Sequence, residues 1–191
     1  FLTFVLIFPF FLYGQLDSIT IKKTLKEVNV NAIKANKKTP VAFTDLKKEE
    51  IEKSNLGQDL PSLISLTPSI VTTSDAGAGI GYSGFRIRGT DPSRINVTIN
   101  GIPLNDSESQ GVWWVNMPDF ASSLENIQIQ RGVGTSTNGA AAFGASINLK
   151  TIGINKLAYA KSNNTIGSFN TLKNNVELGT GLINNKFTFD T

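Results

Sequence analysis

The side chains of this protein that could do chemistry are carboxylates, arginines and aromatics, because its 191 residues include no histidine and no cysteine. Disulfide frameworks, zinc fingers, thiol nucleophiles, histidine acid–base catalysis and histidine-ligated haem are therefore excluded. The central carboxylates have no spacing that fixes an acid–base pair or a metal site, and we interpret them as solvated loop groups: Asp106, Glu108, Asp119 and Glu125. We expect a protein that is not an enzyme and holds no resident cofactor or metal.

A literal Gly-x-Gly-x-x-Gly motif is formed by Gly79, Gly81 and Gly84. In a dinucleotide-binding fold this motif follows a strand and opens a helix, whose N-terminus then meets the pyrophosphate. Here it ends the Gly/Ser-rich stretch 71–84 and precedes the strand-like segment FRIR. We therefore reject nucleotide binding.

Two arginines, Arg86 and Arg88, alternate with Phe85 and Ile87, which predicts a strand with one cationic face and one apolar face. On an isolated small domain both arginines would face water. If they were enclosed, each would need an acidic partner, because an unpaired buried charge costs several kcal/mol.

A tryptophan pair, Trp113 and Trp114, lies in the polar stretch NDSESQGVWWVNMPD. Such a pair either fills a hydrophobic gap or stacks on a ligand. The residues slightly favour packing and leave the ligand role open.

The elements that would position these residues follow a very apolar start, FLTFVLIFPFFLYG, at residues 1–14. This run is shorter than the about 20 residues of a membrane-spanning helix and is typical of a signal-peptide core, with Gly14 before a cut at Gln15. We expect an exported protein, and both ends of the sequence suggest an N-terminal fragment of a longer chain.

A lysine-rich polar segment, residues 15–40, contains the alternating run LKEVNVNAI. A short strand in a polar tether either pairs with a partner's sheet edge or forms an edge strand of the domain that follows. The pattern alone leaves both alternatives open.

The region 41–151 predicts two short helices followed by strands, in which apolar residues alternate with polar ones, as Ile95, Val97 and Ile99 do. FTDLKKEEIEKSN, residues 43–55, predicts a helix capped by Thr44, and DLPSLISLTPSI predicts a second with a stripe of Leu63, Ile64 and Leu66. The pair Asn100-Gly101 predicts a two-residue hairpin turn.

Beyond residue 151, alternating segments are separated by Asn/Gly-rich turns. Their apolar positions predict one apolar face: Leu157, Tyr159, Val176, Leu178, Phe187 and Phe189. Transmembrane β-barrels repeat this alternation in segments of about 10 residues, although the edge of a soluble β-sandwich would look similar.

Taken in order, these motifs resemble the plug domain of TonB-dependent outer-membrane receptors of Gram-negative bacteria. The segments NMPDFASS and RGVGTSTNG resemble those of receptors from Bacteroidetes-type bacteria. The resemblance covers residues 24–151 and rests on LKEVNVNAI, DLPSLISLTPSI, FRIRG, INVTINGIPLND and LENIQIQRGVGTSTNGAAAFGASINLKT. Asn29 stands where valine is more usual, Asn100 where aspartate is typical, and Gln128 where an acid is common.

The fold implied by the resemblance is an α+β plug domain, a small mixed β-sheet with short helices, followed by the start of a transmembrane antiparallel β-barrel. The implied organisation is a signal peptide at 1–14, a periplasmic tether with the TonB box at 15–40, the plug at 41–151 and the first barrel strands at 152–191. The implied TonB box is Glu27, Val28, Asn29, Val30 and Asn31.

The implied function is active import of a scarce solute across the outer membrane, with the plug gating the barrel. The resemblance favours a ferric siderophore or other iron chelate as that solute. The implied partners are the C-terminal domain of TonB in the TonB–ExbB–ExbD complex, the solute and outer-membrane lipid. The resemblance assigns plug–barrel contacts to Arg86, Arg88 and Arg131, and a substrate-facing apex to Tyr82, Trp113 and Trp114. The formal charge of +3 is too small to indicate nucleic acid.

A soluble periplasmic or secreted β-rich ligand-binding module is the alternative. It would share the export signal, the glycine-rich turns and the exposed aromatics, but it would not need barrel strands after residue 151.

Overall fold

The computed structural model describes residues 34–133, 141–168, 170–184 and 186–191. The predicted signal peptide and the predicted TonB box, residues 27–31, lie outside these residues. The main elements in chain order are β1 (Ala42–Lys47), α1 (Lys48–Ser54), α2 (Leu60–Leu63), β2 (Ile70–Ser74), β3 (Ser83–Ile87), β4 (Ile95–Ile99), β5 (Ile102–Pro103), β6 (Leu124–Arg131), β7 (Ala145–Thr151), β8 (Tyr159–Ile166) and β9 (Leu172–Gly179).

A five-stranded mixed sheet organises the region predicted as the plug. Its strand order is β1-β6-β7-β4-β5, with β4 and β7 parallel and the other neighbours antiparallel. β1, the first strand among the described residues, therefore lies at one edge of the sheet, and the hairpin partner β5 lies at the other edge.

The hydrophobic core covers one face of this sheet. Alternate positions of the central strands supply Val97, Ile127, Ile129, Ile147 and Leu149, all buried. Each such side chain contributes about 1.5–3 kcal/mol when removed from water. The two helices, β3 and a short turn add the remaining layer: Ile51, Leu60, Ile64, Phe85, Ile87 and Trp114.

The opposite face of β6 carries amide side chains that are also buried: Asn126, Gln128 and Gln130. A buried polar side chain needs hydrogen-bond partners. Several of these partners come from the chain just before β1, at residues 34 and 35.

The predicted helix over 43–55 is wrong in its first half. Thr44 lies in β1 and does not cap the helix, which begins at Lys48; just before it, the Lys47 amide donates to Glu50 Oε2 at 2.9 Å. β1 pairs with the edge of β6 in an antiparallel ladder from Ala42↔Arg131 to Lys47↔Asn126. This strand pairing overrides the local helical pattern. The second helix is also shorter than predicted, and Leu66 is 94% exposed.

The predicted hairpin turn at Asn100-Gly101 is confirmed. Asn100 and Gly101 have φ of 51° and 84° and join β4 to β5. Positive φ at both central residues is what a type I′ hairpin turn requires. Gly79 and Gly81 lie between β2 and β3 and Gly84 lies within β3, so the motif leads into a strand and not into a helix.

The strands β8 and β9 form a separate antiparallel hairpin. Val176 and Leu178 share its outer face, as predicted, but Tyr159 pairs with Gly179 and lies on the other face with Lys161. The inter-strand register decides this face, and alternation within each segment does not reveal that register.

In the part of the chain that the structure describes, no helix combines the length and the apolarity that crossing a membrane requires.

Candidate functional site

A cleft of about 370 Å³ opens between the β2–β3 loop and the loop that follows β5. These are the two loops that were predicted to form the apex. Its lining includes the aromatic rings of Tyr82 and Trp113 and buried apolar side chains from β3 and β4: Phe85, Ile95 and Val97. The cleft is therefore an apolar concavity with a polar rim, which is the usual form of a small-molecule site.

The predicted apex aromatics take different positions around this cleft. Tyr82 and Trp113 line it and are 64% and 54% exposed. Trp114 is 4% exposed and packs against Phe85, with the ring centroids 5.6 Å apart. The tryptophan pair thus divides the two roles left open by the sequence: Trp114 packs, and Trp113 remains available for stacking.

Asn105 holds the loop after β5 against the sheet. Its Oδ1 accepts from the Val97 amide at 2.8 Å, and its Nδ2 donates to the carbonyls of Ile95 at 2.9 Å and Gln110 at 2.8 Å. This residue was missed by the sequence reasoning. An Asn placed just after an Asn-Gly hairpin is the signal that could have drawn attention to it.

Asp106 organises the rest of the same loop. Its Oδ1 accepts from the amides of Ser109 at 2.7 Å and Glu108 at 3.0 Å, and from the Ser109 hydroxyl at 2.9 Å. The Ser109 hydrogen bonds, led by that of its backbone amide, lower the pKa of Asp106 below its ordinary value. Asp106 is thus a loop-shaping carboxylate, in agreement with its interpretation as a loop group.

Asp91 borders the cleft together with Asp75. The amide of Ser93 donates to Asp91 at 3.1 Å and its hydroxyl at 2.9 Å, and these bonds lower the pKa of Asp91 below its ordinary value. Nη2 of Arg86 lies 3.6 Å from its Oδ2. Arg86 therefore has an acidic partner within this chain.

The strand prediction for the arginines is correct for Arg86, which is exposed between buried Phe85 and Ile87. It is wrong for Arg88, because β3 ends at Ile87 and Arg88 has φ of 52°. A non-glycine residue in this region costs on the order of 1 kcal/mol, and such strain clusters at functional sites.

Arg88 and Arg131 come together at the end of β6. They line one pocket with Ala42, and the Arg88 guanidinium lies beside Gly132. Nη1 and Nη2 of Arg131 donate to Thr44 Oγ1 at 2.7 and 2.9 Å. Burial, followed by the charge of Arg88, lowers the pKa of Arg131.

Within the residues that the structure describes, neither arginine of this pair makes an ion pair with a carboxylate. Two adjacent guanidinium groups repel each other, so a carboxylate placed beside them would be bound favourably. Sequence reasoning named both residues but placed Arg88 with Arg86, whereas the structure brings Arg88 together with Arg131.

A polar cluster that the sequence did not indicate joins the β8–β9 hairpin to the sheet domain. Lys173 Nζ lies 2.8 Å from Asp119 Oδ1 and 3.1 Å from Ser122 Oγ, and Asn55 Nδ2 donates to the same two oxygens. These residues are far apart in sequence, and nothing local marks them as partners.

No group of three or more carboxylates with metal-binding geometry occurs among the described residues, 34–133 and the three ranges after residue 140. The residues predicted for the TonB box lie outside these ranges, so their prediction stays a prediction.

Comparison with known proteins gives a family match over most of the sheet domain. Residues 35–146 match the family model of the TonB-dependent receptor plug domain. The vitamin B12 transporter BtuB of Vibrio vulnificus is 32% identical over 109 residues, which are 57% of this chain. The chain spans 17% of the length of that transporter.

Solved structures show the same fold at low identity. The ferripyoverdine receptor of the Pseudomonas aeruginosa outer membrane superposes with a TM-score of 0.60 at 16% identity, covering 77% of this chain and 19% of the receptor. The siderophore receptor PirA of Acinetobacter baumannii gives 0.56 at 19% identity, covering 78% of this chain and 23% of the receptor.

Proposed function

Because the chain belongs to the family of TonB-dependent receptor plug domains, we propose that it gates the active import of a scarce solute, a ferric siderophore or another iron chelate. Proteins of this family lie in the outer membrane, and the family places this chain there. The observation that carries the proposal is the apolar cleft between the β2–β3 loop and the loop after β5.

The solute class draws support from the names of the similar proteins. The structural relatives include a ferripyoverdine receptor and a siderophore receptor, whereas the curated relative is a vitamin B12 transporter. Cobalamin is therefore the competing solute. A binding titration of the full-length receptor with a ferric hydroxamate, ferric citrate and cyanocobalamin separates these classes.

The charges of the cleft indicate which part of the solute it would contact. Its described lining includes the carboxylates of Asp75 and Asp91 and no lysine or arginine. We infer that this side of the site meets uncharged or ring-shaped parts of the solute, through the exposed faces of Tyr82 and Trp113. Ring stacking of this kind contributes about 0.5–1.5 kcal/mol for each contact.

The arginine pair of Arg88 and Arg131 has the properties of a plug–barrel contact. Both guanidiniums lie together and lack an acidic partner among the described residues, and Arg88 occupies a strained backbone conformation. We infer that acidic side chains of the enclosing barrel wall neutralise the pair and hold the plug in place. Arg86, the third predicted contact, pairs with Asp91 in this chain, so we assign it a smaller role in the plug–barrel contact.

Energy would reach the plug through the predicted TonB box. Backbone pairing between a strand of this chain and TonB requires free N–H groups on the strand. Proline at Val28 or Val30 removes one such group, so each substitution should abolish uptake of the solute and leave its binding intact.

The test compares cells that carry the full-length receptor with Val28→Pro, Val30→Pro or Lys23→Pro, the last being a control in the same lysine-rich tether. Uptake of the labelled solute and its binding to whole cells are measured in parallel. Normal uptake by both valine variants would refute the assignment of the box, and uptake that is independent of TonB would refute the proposed function.

A further inference from the structure

The side chain of Gln128 holds the backbone of the chain that leads into the domain. Its Oε1 accepts from the Ala35 amide at 2.7 Å, and its Nε2 donates to the Ala35 carbonyl at 3.0 Å. Both residues are buried, with 1% of Gln128 and 4% of Ala35 exposed. Two hydrogen bonds between one amide side chain and one residue's backbone reproduce the pairing between adjacent β-strands.

Three neighbouring contacts support this pairing of Gln128 with the Ala35 backbone, which we call the clasp. Nε2 of Gln130 donates to Oε1 of Gln128 at 3.0 Å, which fixes the orientation of the amide. On the tether side, Lys34 Nζ lies 2.6 Å from Asn126 Oδ1 and 3.2 Å from Asp45 Oδ1.

The amide at position 128 matters chemically. A glutamate, the residue type that the family resemblance leads one to expect there, could accept from the Ala35 amide but could not donate to the Ala35 carbonyl when ionised. Its charge would also lie buried beside that carbonyl oxygen. Glutamine therefore supplies both halves of the pairing without a buried charge.

We propose that this clasp sets how far the TonB-binding strand can reach from the plug, which makes Gln128 a positioning residue for TonB recruitment. The inference rests on the proposed function. With Ala35 held, Asn31 lies at most about 14 Å of extended chain away from a fixed point. With the clasp and the Lys34 contacts both open, the next fixed point is β1, beginning at Ala42, and the same reach grows to about 38 Å.

The first readout is hydrogen exchange of the Ala35 amide in the full-length receptor. Gln128→Leu removes both bonds and should speed this exchange on the order of tenfold. Gln128→Glu keeps the acceptor and should give a smaller increase. Gln58→Leu removes a surface amide whose Nε2 donates to the Ala78 carbonyl at 3.1 Å and should change nothing at Ala35.

The second readout is the affinity of the same receptors for the C-terminal domain of TonB. Gln128→Leu should raise this affinity several-fold. Ala35→Pro, which removes the N–H from the tether side and leaves β6 untouched, should raise it to a similar extent even if Gln128→Leu fails to fold.

Unchanged exchange in Gln128→Leu would show that there is no clasp in solution. Faster exchange with unchanged TonB affinity would refute the role of the clasp in recruitment and leave the proposed function intact. If the wild-type receptor itself did not bind TonB, the proposed function would fall, and the recruitment role with it.

Discussion

Asn105→Ala tests how the cleft keeps its shape. The wild-type side chain accepts one hydrogen bond from Val97 and donates two, to Ile95 and Gln110. The first two of these partners lie in β4, and the third lies in the loop that carries Trp113 towards the cleft. Alanine removes all three bonds at once and introduces no new group.

The size of the effect follows from the number and burial of these bonds. Three hydrogen bonds at a net 0.5–1.5 kcal/mol each give about 1.5–4.5 kcal/mol. Asn105 is only half-buried, so water can rehydrate its former partners, and we expect a value near the lower end, about 2 kcal/mol. The equilibrium for local opening of the loop should then rise about 30-fold.

Amide hydrogen exchange in the full-length receptor measures this opening directly. The Val97 amide donates to Asn105, so its exchange should accelerate about 30-fold in Asn105→Ala. Asn105→Asp keeps an acceptor for that amide and loses both donations, so Val97 should stay protected while the Gln110 loop loosens. Asn174→Ala, on the exposed face of the hairpin, is the surface control.

One result would refute this reasoning. If Val97 in Asn105→Ala exchanged within about threefold of the wild-type rate, the three bonds would not be holding the loop. The cleft would then owe its shape to packing around Trp114 instead.

Three further predictions concern other parts of the site. Arg88→Glu combined with Arg131→Glu should loosen the plug within the full-length receptor, seen as leakage of small solutes through the outer membrane, and wild-type retention with normal transport would contradict the latch. Trp113→Ala should weaken binding of the solute about tenfold in a fluorescence-independent titration, since the lost stacking is about 1–1.5 kcal/mol, and Trp113→Phe should restore most of it. The pKa of Asp106 lies below its ordinary 3.8 in the folded loop. The stabilising contribution of its carboxylate is therefore fully present above pH 3.8 and is lost as the pH falls through the lower folded pKa. Asp106→Asn should abolish this acid-side transition in Trp113 emission, and an unchanged transition would count against the assignment.

The alternation of apolar residues was enough to predict the central strands and one hairpin. Ile95, Val97 and Ile99 predicted β4, and Asn100-Gly101 predicted its turn, because both signals are local. β1 could not be predicted in this way. Its segment has a helical pattern, and only the edge of β6, about 80 residues later in the chain, makes it a strand.

In the candidate site, too, the features with local causes could be predicted from the sequence, and those with long-range causes could not. The positions of Tyr82 and Trp113 in loops followed from the sequence, and both line the cleft. The backbone of Arg88 did not, because its positive φ depends on the turn after β3. The buried amide of Gln128 was also missed, since no local pattern indicates that its partner is Ala35.

β1 is an edge strand of the five-stranded sheet and the first strand among the residues that the structure describes. Peeling it away breaks one ladder and leaves the other four strands paired as before. The vacated edge of β6 then serves as a template for re-closure, and a slip of one residue would turn Leu46 away from the core. The position of Leu46 thus admits one register in which β1 pairs with β6.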